Sequence, residues 1–180
     1  LLERACVIRD KGTNRQQFMQ GRVDKYTWVD LGGSYVPSEI VCAFLLGQLE
    51  EIDSITRQRS RIYHNYVEQL TPLEQRGLVR LPRVPDHCQS KFHLLYMLVQ
   101  DRAKRDRLLH SLAGRGILAV FHYVPLHTSP MARKLGCDQR QLPVTDSVGD
   151  RLVRLPMFYD LDPTSQQLVI DEIARFFRAN

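Results

Sequence analysis

The segment VFHYVPLHTSP carries two histidines, a tyrosine and two prolines within a short stretch. Imidazole groups bind metals and move protons near neutral pH, so His122 and His127 are candidate ligands or acid–base groups. Residues five apart point to opposite faces of a strand and lie ~140° apart around a helix. Both rings can reach one metal only if Pro125 turns the chain between them. A third ligand would then have to come from Cys137 or Asp138.

Three interpretations of this histidine pair stay open at the level of the sequence. Histidines at the end of a strand typically line a ligand pocket or cap backbone groups. A metal site is the least favoured interpretation, because no recognised spacing of zinc ligands is present. The sequence also lacks the G-x-S-x-G, P-loop and H-E-x-x-H motifs and a paired-carboxylate arrangement. It therefore offers no nucleophile and base for a self-contained enzyme.

A second candidate site lies in DKYTWVDLGGSYVPSE, where Gly32 and Gly33 precede the hydroxyl of Ser34 and a helix start. Exposed backbone N–H groups and a hydroxyl at such a place can bind a phosphate. The earlier segment RDKGTNR adds three cations, Arg9, Lys11 and Arg15. The alternatives are an ordinary turn before a helix and a solvated basic loop.

Composition limits the class of protein. The chain has 180 residues, 43% hydrophobic and 25% charged, with a net charge of +5 that suits anionic ligands. The arginines are scattered rather than interleaved with aromatic residues, which argues against a nucleic-acid groove. The four cysteines show no C-x-x-C spacing, and no secretory signal or run of ~18 apolar residues occurs. These features predict a cytoplasmic protein without a membrane partner. The opening LLERACVIRDKG is typical of a helix already under way, and we expect a piece of a larger protein.

Hydrophobic periodicity predicts the elements that position these residues. Residues 12–36 are expected to form a long loop, and Pro37 and Ser38 to start a helix. Apolar positions from Ile40 onward predict a long amphipathic helix, or two nearly collinear ones, ending by Pro72. Three segments are strand candidates: LVRL at 78–81, HLLYMLV at 93–99 and ILAVFHY at 117–123.

The second half of the chain carries clear helix signals. Asp101 can cap a helix with a stripe of leucines, and Asp162 with Pro163 can start a last helix. Short helices are expected around Met131 to Leu135 and Val144 to Leu152. The sum is an α+β fold with a short, mainly antiparallel sheet covered by helices.

Four segments in this order resemble one family: RDKGTNR, DKYTWVDLGGSYVPSEIVCAFLLGQLE, AVFHYVPLH and RLVRLPMFYDL. They are similar to the C-terminal half of sugar-nucleotide aminotransferases of the DegT/DnrJ/EryC1/StrS type, and the resemblance runs along essentially the whole chain. It implies the small C-terminal domain of a fold-type I, aspartate aminotransferase-like enzyme that uses pyridoxal 5'-phosphate. Residues 1–36 would then be the tail end of the large cofactor-binding domain with an active-site loop, and residues 37–180 the small domain.

The resemblance also implies roles for individual residues. The Schiff-base lysine of the family lies before RDKGTNR, so no catalytic residue is expected in this chain. Ser34 stands where the family pattern usually has an asparagine that reaches the cofactor phosphate of the neighbouring subunit, and Val36 replaces a frequent arginine. Substrate-binding roles are expected for six residues: Arg15, Lys25, Tyr26, His122, Tyr123 and His127. No metal ligand is implied.

The parent enzyme implied by the resemblance is a homodimer that takes glutamate and a nucleotide sugar. The subgroup resemblance favours a dTDP-linked 4-keto-6-deoxyhexose and a role in the biosynthesis of cell-surface polysaccharide, including lipopolysaccharide and enterobacterial common antigen. The chain alone would be inactive. Two other hypotheses remain: a free-standing, non-catalytic binding module derived from this family, and a metal protein built on His122 and His127.

Overall fold

The computed structural model describes residues 1–137 and 141–179 and divides the chain into two compact units. Unit 1 is Leu1–Ile52 and unit 2 is Asp53–Asn180. The domain boundary predicted from the sequence lies after residue 36 instead. The assignment of residues 1–36 to the end of a large domain stays a prediction.

Unit 1 contains three helices, α1 (Leu2–Arg9), α2 (Arg15–Met19) and α3 (Glu39–Glu50). The expectation of a loop throughout residues 12–36 was wrong at α2, a single helical turn with too few residues to show a period. The start of α3 was predicted correctly, since the Ser38 hydroxyl accepts from the backbone N–H of Val41 at 3.4 Å.

The predicted apolar face of α3 is not buried within unit 1. Every residue of this helix is exposed, with Ile40 at 83% and Phe44 at 72% of full exposure. Gly12 is the only described residue of unit 1 that is buried. Side-chain burial therefore contributes little to this unit, and backbone hydrogen bonds hold its loops.

Unit 2 holds the hydrophobic core. Its helices are α4 (Ile52–Gln75, which begins at the end of unit 1), α5 (Arg102–Ala113), α6 (Pro130–Lys134), α7 (Pro143–Arg151) and α8 (Pro163–Ala179). Its strands are β1 (Leu95–Leu98) and β2 (Leu152–Leu155). The strands pair antiparallel, with Leu95 opposite Leu155 and Leu98 opposite Leu152. The predicted α+β class with a short antiparallel sheet and helices is confirmed.

The strand predictions had different outcomes. HLLYMLV forms β1, whereas LVRL contributes one β-bridge, between Arg80 and Leu98. ILAVFHY was predicted as a buried strand, and this was wrong: Val120 makes a single bridge to Arg154, and Leu118 is 80% exposed. The segment RLVRLPMFYDL contains β2, a strand that the periodicity did not predict.

The predicted starts of two helices of unit 2, α5 and α8, are confirmed by their capping hydrogen bonds. Asp101 accepts from the N–H of Lys104 at 2.7 Å, and Asp162 accepts from Thr164 and Ser165 at 3.0 Å. Hydrogen bonding from Ser165 lowers the pKa of the Asp162 carboxyl, as expected for a carboxylate at a helix N-terminus. The break between α3 and α4 confirms two helices. The predicted end at Pro72 was wrong, because α4 continues to Gln75 with this proline inside.

Two buried polar side chains tie α4 to the rest of unit 2. The Tyr66 hydroxyl, on a fully buried side chain, donates to the carbonyl of Pro156 at 3.0 Å. Gln166 of α8 donates its amide to the carbonyl of Ile62 at 2.7 Å. Both satisfy polar groups inside an apolar cluster, where an unpaired partner would be costly.

Tyr66→Phe is expected to lower the free energy of unfolding by about 1–2 kcal/mol, because the Pro156 carbonyl loses its donor while the ring is kept. Urea denaturation followed by far-UV circular dichroism measures this. Tyr159→Phe is the matched control, since Tyr159 is exposed and its hydroxyl has no partner among the described residues. An equal loss in both variants would contradict the prediction.

Alkaline pH should destabilise unit 2 through the same side chain. Burial raises the pKa of Tyr66 above its ordinary value of 10.0, and burial also raises the pKa of Tyr63. A phenol with a raised folded-state pKa stabilises the fold below the unfolded pKa, and this contribution is lost as pH rises above it. We expect the free energy of unfolding to fall between about pH 9.5 and pH 11.5, with a smaller slope in Tyr66→Phe. Urea titrations across that range measure both slopes, and identical slopes would show that Tyr66 does not titrate as expected.

Candidate functional site

The candidate anion site in unit 1 is built on two backbone segments that cross without a side chain between them. Gly12 donates its N–H to Val7 at 2.8 Å, and its carbonyl accepts from Val29 at 2.7 Å and Asp30 at 3.0 Å. Lys11 donates to the carbonyl of Gly33 at 3.1 Å. A β-bridge between residues 10 and 34 completes the crossing. These bonds fix the loop that carries the candidate residues.

Two glycines are required for this crossing. Gly12 has φ +76°, and a Cβ there would lie 1.8 Å from the carbonyl oxygen of Asp30. A Cβ on Gly32 would lie 2.1 Å from the Gly12 nitrogen. From the sequence, Gly32 was a candidate for a phosphate cradle, with an ordinary turn before a helix as the alternative. In the structure its role is to allow close approach of backbone, the usual second reason for a glycine.

Three of the predicted site residues line one cavity of ≈ 250 Å³ in unit 1: Arg15, Tyr26 and Ser34. Lys11 and Val36 also line it. The predicted Lys25 is exposed and is not among the residues that line this cavity. The structure thus brings together an arginine, a lysine and two hydroxyls, the donors that a phosphate group accepts from.

The charges around this cavity leave a cationic surplus. Arg9 is paired with Asp10 at 3.0 Å and also donates to Gln16 at 3.2 Å. The hydrogen bond to Asp10 raises the pKa of the Arg9 guanidinium, so the pair stays ionised. Among the described residues, the side chains of Arg15 and Ser34 have no hydrogen-bond partner in the protein. Their donors are available to a ligand.

The second group of predicted residues lies in a loop of unit 2 that follows residue 120. The rings of His122 and Tyr123 meet edge to face, with centroids 4.9 Å apart. His127 lies in a 3₁₀ turn (Leu126–Thr128), where its Nε2 is 3.1 Å from Oδ1 of Asp146 in α7. The His127 side chain is only 10% exposed.

A cavity of ≈ 430 Å³ lies between this loop and α7. His122 and Tyr123 line it together with mainly apolar residues, among them Leu126, Val144 and Val148. His127 does not line it and is instead tied to α7. Of the three interpretations of the histidine pair, the pocket wall describes His122. His127 fits none of them, because its partner is the Asp146 side chain.

The described residues contain no group of three His, Cys, Asp or Glu side chains placed to hold a metal. The two histidines have separate neighbours, Tyr123 and Asp146. Asp138, considered as a third ligand, lies outside the described residues.

Sequence reasoning missed two residues that hold the loop of unit 2. Asp146, the partner of His127, gave no signal, because a carboxylate in a short exposed helix is commonplace. Arg105, in contrast, gave a signal in the sequence. It lies three residues before Leu108 and seven before Leu112, which places it on the apolar stripe of α5. A charged residue at such a position is buried, and buried arginines are paired.

In the part of the chain that the structure describes, no helix combines the length and apolar character needed to span a membrane.

The fold is that of the small C-terminal domain of fold-type I pyridoxal-phosphate aminotransferases. DesV of S. venezuelae, for example, is 26% identical and superposes with a TM-score of 0.81, over 97% of this chain and 43% of that one. Residues 1–174 match the sequence model of the DegT/DnrJ/EryC1/StrS aminotransferase family. The chain therefore belongs to that family, as the four quoted segments predicted.

Curated relatives are similar along most of this chain. The pleiotropic regulatory protein of Geobacillus stearothermophilus is 29% identical over 179 residues, which are 99% of this chain and 45% of that protein. The dTDP-4-dehydro-2,3,6-trideoxy-D-glucose 4-aminotransferase of Saccharopolyspora spinosa is 26% identical over 147 residues, 81% of this chain and 36% of that enzyme. The chain thus spans less than half the length of these relatives.

Gly12→Ala is expected to disrupt unit 1, because the added methyl group would overlap the Asp30 backbone. We expect a loss of more than about 3 kcal/mol in local stability. Emission of Trp28, the single tryptophan, and amide hydrogen exchange of residues 28–34 measure it. Gly21→Ala is the control: Gly21 has φ +68° but open space around it, so it should cost only about 1 kcal/mol. If the two variants behave alike, the crossing is not sterically limited.

Proposed function

We propose that this chain is the C-terminal portion of a pyridoxal-phosphate-dependent aminotransferase that acts on a nucleotide sugar. The enzyme transfers an amino group from glutamate to a dTDP-linked 4-keto-6-deoxyhexose. The observation that carries the proposal is the pair Arg15 and Ser34, whose donors face one cavity in unit 1 without a partner in the protein. Membership of an aminotransferase family supports a phosphate-bearing ligand for that cavity.

The residues of unit 1 fit phosphate groups, which both the cofactor and the substrate carry. Ser34 would donate to the cofactor phosphate. Arg15, Lys25 and Tyr26 would contact the diphosphate of the nucleotide sugar, with the guanidinium of Arg15 able to bind two oxygens at once. Lys25 is exposed, so it would act as a mobile positive charge rather than as a fixed donor.

The residues of unit 2 fit the sugar. A 6-deoxyhexose carries a methyl group in place of a hydroxymethyl group, so a mainly apolar cavity with a few polar groups at its edge suits it. His122 and Tyr123 supply that polar edge. His127, held by Asp146, would contact the substrate only through its remaining ring surface and otherwise fixes the loop.

In the mechanism, the bound cofactor supplies the electron sink for moving the amino group. The lysines of this chain stand outside the family's lysine motif, so the proton-transferring lysine would belong to the preceding part of the parent enzyme. The tasks of this chain are to bind phosphates through Arg15 and Ser34 and to orient the sugar through His122 and Tyr123. Orientation of this kind lowers the barrier by removing translational and rotational freedom before the reaction.

The substrate class draws support from a relative. The Saccharopolyspora spinosa enzyme is named for a 4-aminotransferase reaction on a dTDP-4-dehydro sugar, and it matches 81% of this chain. We propose that the amino sugar made by the parent enzyme enters cell-surface polysaccharides such as lipopolysaccharide or enterobacterial common antigen. We place the parent enzyme in the cytoplasm as a homodimer, in which Ser34 serves the cofactor of the neighbouring subunit.

The test begins with the coding sequence upstream of Leu1, which we expect to continue in frame into a lysine-bearing domain. The encoded polypeptide should convert a dTDP-4-keto-6-deoxyhexose with glutamate, measured by chromatography of the amino sugar nucleotide. Arg15→Gln should raise KM for the nucleotide sugar about tenfold or more, since a charge-assisted hydrogen bond is lost. Arg22→Gln, which removes an exposed arginine 3.9 Å from Glu3, should leave KM unchanged.

The 180-residue chain alone should form no covalent adduct with pyridoxal phosphate at a single lysine. A borohydride-reducible absorbance band that maps to one lysine of this chain would overturn the proposal. An upstream sequence with a stop codon and a native start at Leu1 would overturn it too, and would favour the non-catalytic binding module.

A further inference from the structure

Arg105 is a buried arginine that contacts its neighbour Asp106 in α5, Gly149 in α7 and Phe121 at the start of the loop of residues 121–127. Only 7% of the residue is exposed. Its Nε and Nη2 donate to Oδ1 of Asp106 at 2.9 and 2.8 Å, and its Nη1 donates to the carbonyl of Gly149 at 2.9 Å. The guanidinium carbon lies 5.4 Å from the centre of the Phe121 ring. One planar group thus joins α5, α7 and the start of the loop.

Gly149, which accepts from Arg105, also contacts Pro125 in the middle of the loop. A Cβ at this position would lie 3.1 Å from Cγ of Pro125, so α7 packs directly against the proline ring. One turn earlier, Asp146 pairs with His127 at 3.1 Å. The loop is therefore held at its start by Phe121, at its middle by Pro125 and at its end by His127.

These attachments matter because little apolar packing besides that of Pro125 holds the loop. Cavities of ≈ 410 and ≈ 430 Å³ share Tyr123, Val124, Pro125 and Gly149 as lining residues. Tyr123 is 80% exposed. A segment with open space beside it depends on its few fixed contacts, and among those contacts only Arg105 is itself buried on a core helix.

The surrounding charges support the guanidinium without replacing it. Arg102 lies 3.8 Å from Asp106 and 3.9 Å from Asp150, but all three side chains are more than half exposed, and such pairs contribute little. The Arg105 side chain itself is only 9% exposed, and its bonds to Asp106 and Gly149 have an ionised donor, which makes them stronger than neutral hydrogen bonds. A lysine could keep the charge but not the fork that reaches a carboxylate and a carbonyl at once.

We propose that Arg105 is a positioning residue for substrate binding: it fixes α7 and the 121–127 loop so that His122 and Tyr123 face the sugar. This inference rests on the proposed function, which assigns the loop to the sugar. Arg105 also lines the ≈ 410 Å³ cavity beside the loop, and in this proposal it acts on the sugar through Gly149 and Phe121 rather than by direct contact.

The test compares Arg105→Lys with Arg107→Lys, a neighbouring substitution on an exposed arginine of the same helix. In the 180-residue chain, amide hydrogen exchange of residues 121–127 should rise about tenfold in Arg105→Lys and stay unchanged in the control. In the polypeptide that carries this chain and shows transaminase activity, Arg105→Lys should raise KM for the nucleotide sugar about tenfold. KM for glutamate and the affinity for pyridoxal phosphate should stay within about twofold of the wild type.

Phe121→Leu is a second variant that removes the ring beneath the guanidinium while leaving the buried core intact, since Phe121 is half exposed. It should raise KM for the nucleotide sugar in the same direction by about threefold. Unchanged loop exchange in Arg105→Lys would overturn the inference, and so would faster exchange with an unchanged KM. An equal rise of KM for glutamate would show a general structural role and overturn it as well. A wild-type polypeptide that converts no nucleotide sugar would instead refute the proposed function, and that result is seen without any variant.

Discussion

The close approach of two backbone segments at Gly12 and Gly32 is the constraint on which the candidate phosphate site depends. Unit 1 buries almost no side chain, so its loops are held by hydrogen bonds that form only when these segments touch. The bridge between residues 10 and 34 follows from that approach. It brings the Ser34 hydroxyl to the same cavity as Arg15, which lies nineteen residues earlier in the chain. A Cβ at either glycine would separate the segments and with them the two donors. The electrostatics of the site are in this sense a consequence of backbone sterics.

Unit 2, in contrast to unit 1, is held together by a buried hydrophobic core. Its strands and the helices α4, α5 and α8 share one apolar cluster, and the buried polar groups Tyr66 and Gln166 are satisfied inside it. That core ends where the candidate sugar loop begins: Ile117 is buried, but Leu118 and Phe121 are exposed. Beyond this point polar contacts replace packing. Arg105 connects the apolar core to the loop, since its side chain is buried in α5 while one of its N–H groups donates to the carbonyl of Gly149. A rigid core thus supports a loop that remains open to a ligand.

Sequence reasoning succeeded where the signal is local. The caps at Asp101 and Asp162 and the apolar face of α8 depend on residues within one or two turns, and the structure has them as predicted. It failed where the structure of a segment depends on a partner that is distant in sequence. ILAVFHY has the composition of a buried strand, yet a strand requires neighbours on both sides, and Val120 finds only Arg154. Likewise, spacing alone could propose Ser34 and Arg15 as phosphate ligands but could not place them on one cavity. The resemblance supplied the family, whereas the pairing of His127 with Asp146 and the burial of Arg105 required coordinates.

Helix α3 connects the apolar surface of unit 1 to its candidate site. A helix that is apolar on all sides is stable when other protein covers it, and Ile40, Phe44 and Leu46 are each more than half exposed here. Ser34 lies only five residues before the first residue of α3, and Ser38 caps that helix. A surface that covers α3 would therefore also restrict the short connection from Ser34 to Ser38. The cavity alone offers donors for a phosphate, but their precise orientation depends on how this short connection is held. Binding of phosphate and cover of the apolar helix should consequently be coupled, since ordering one reduces the conformational entropy that ordering the other must overcome.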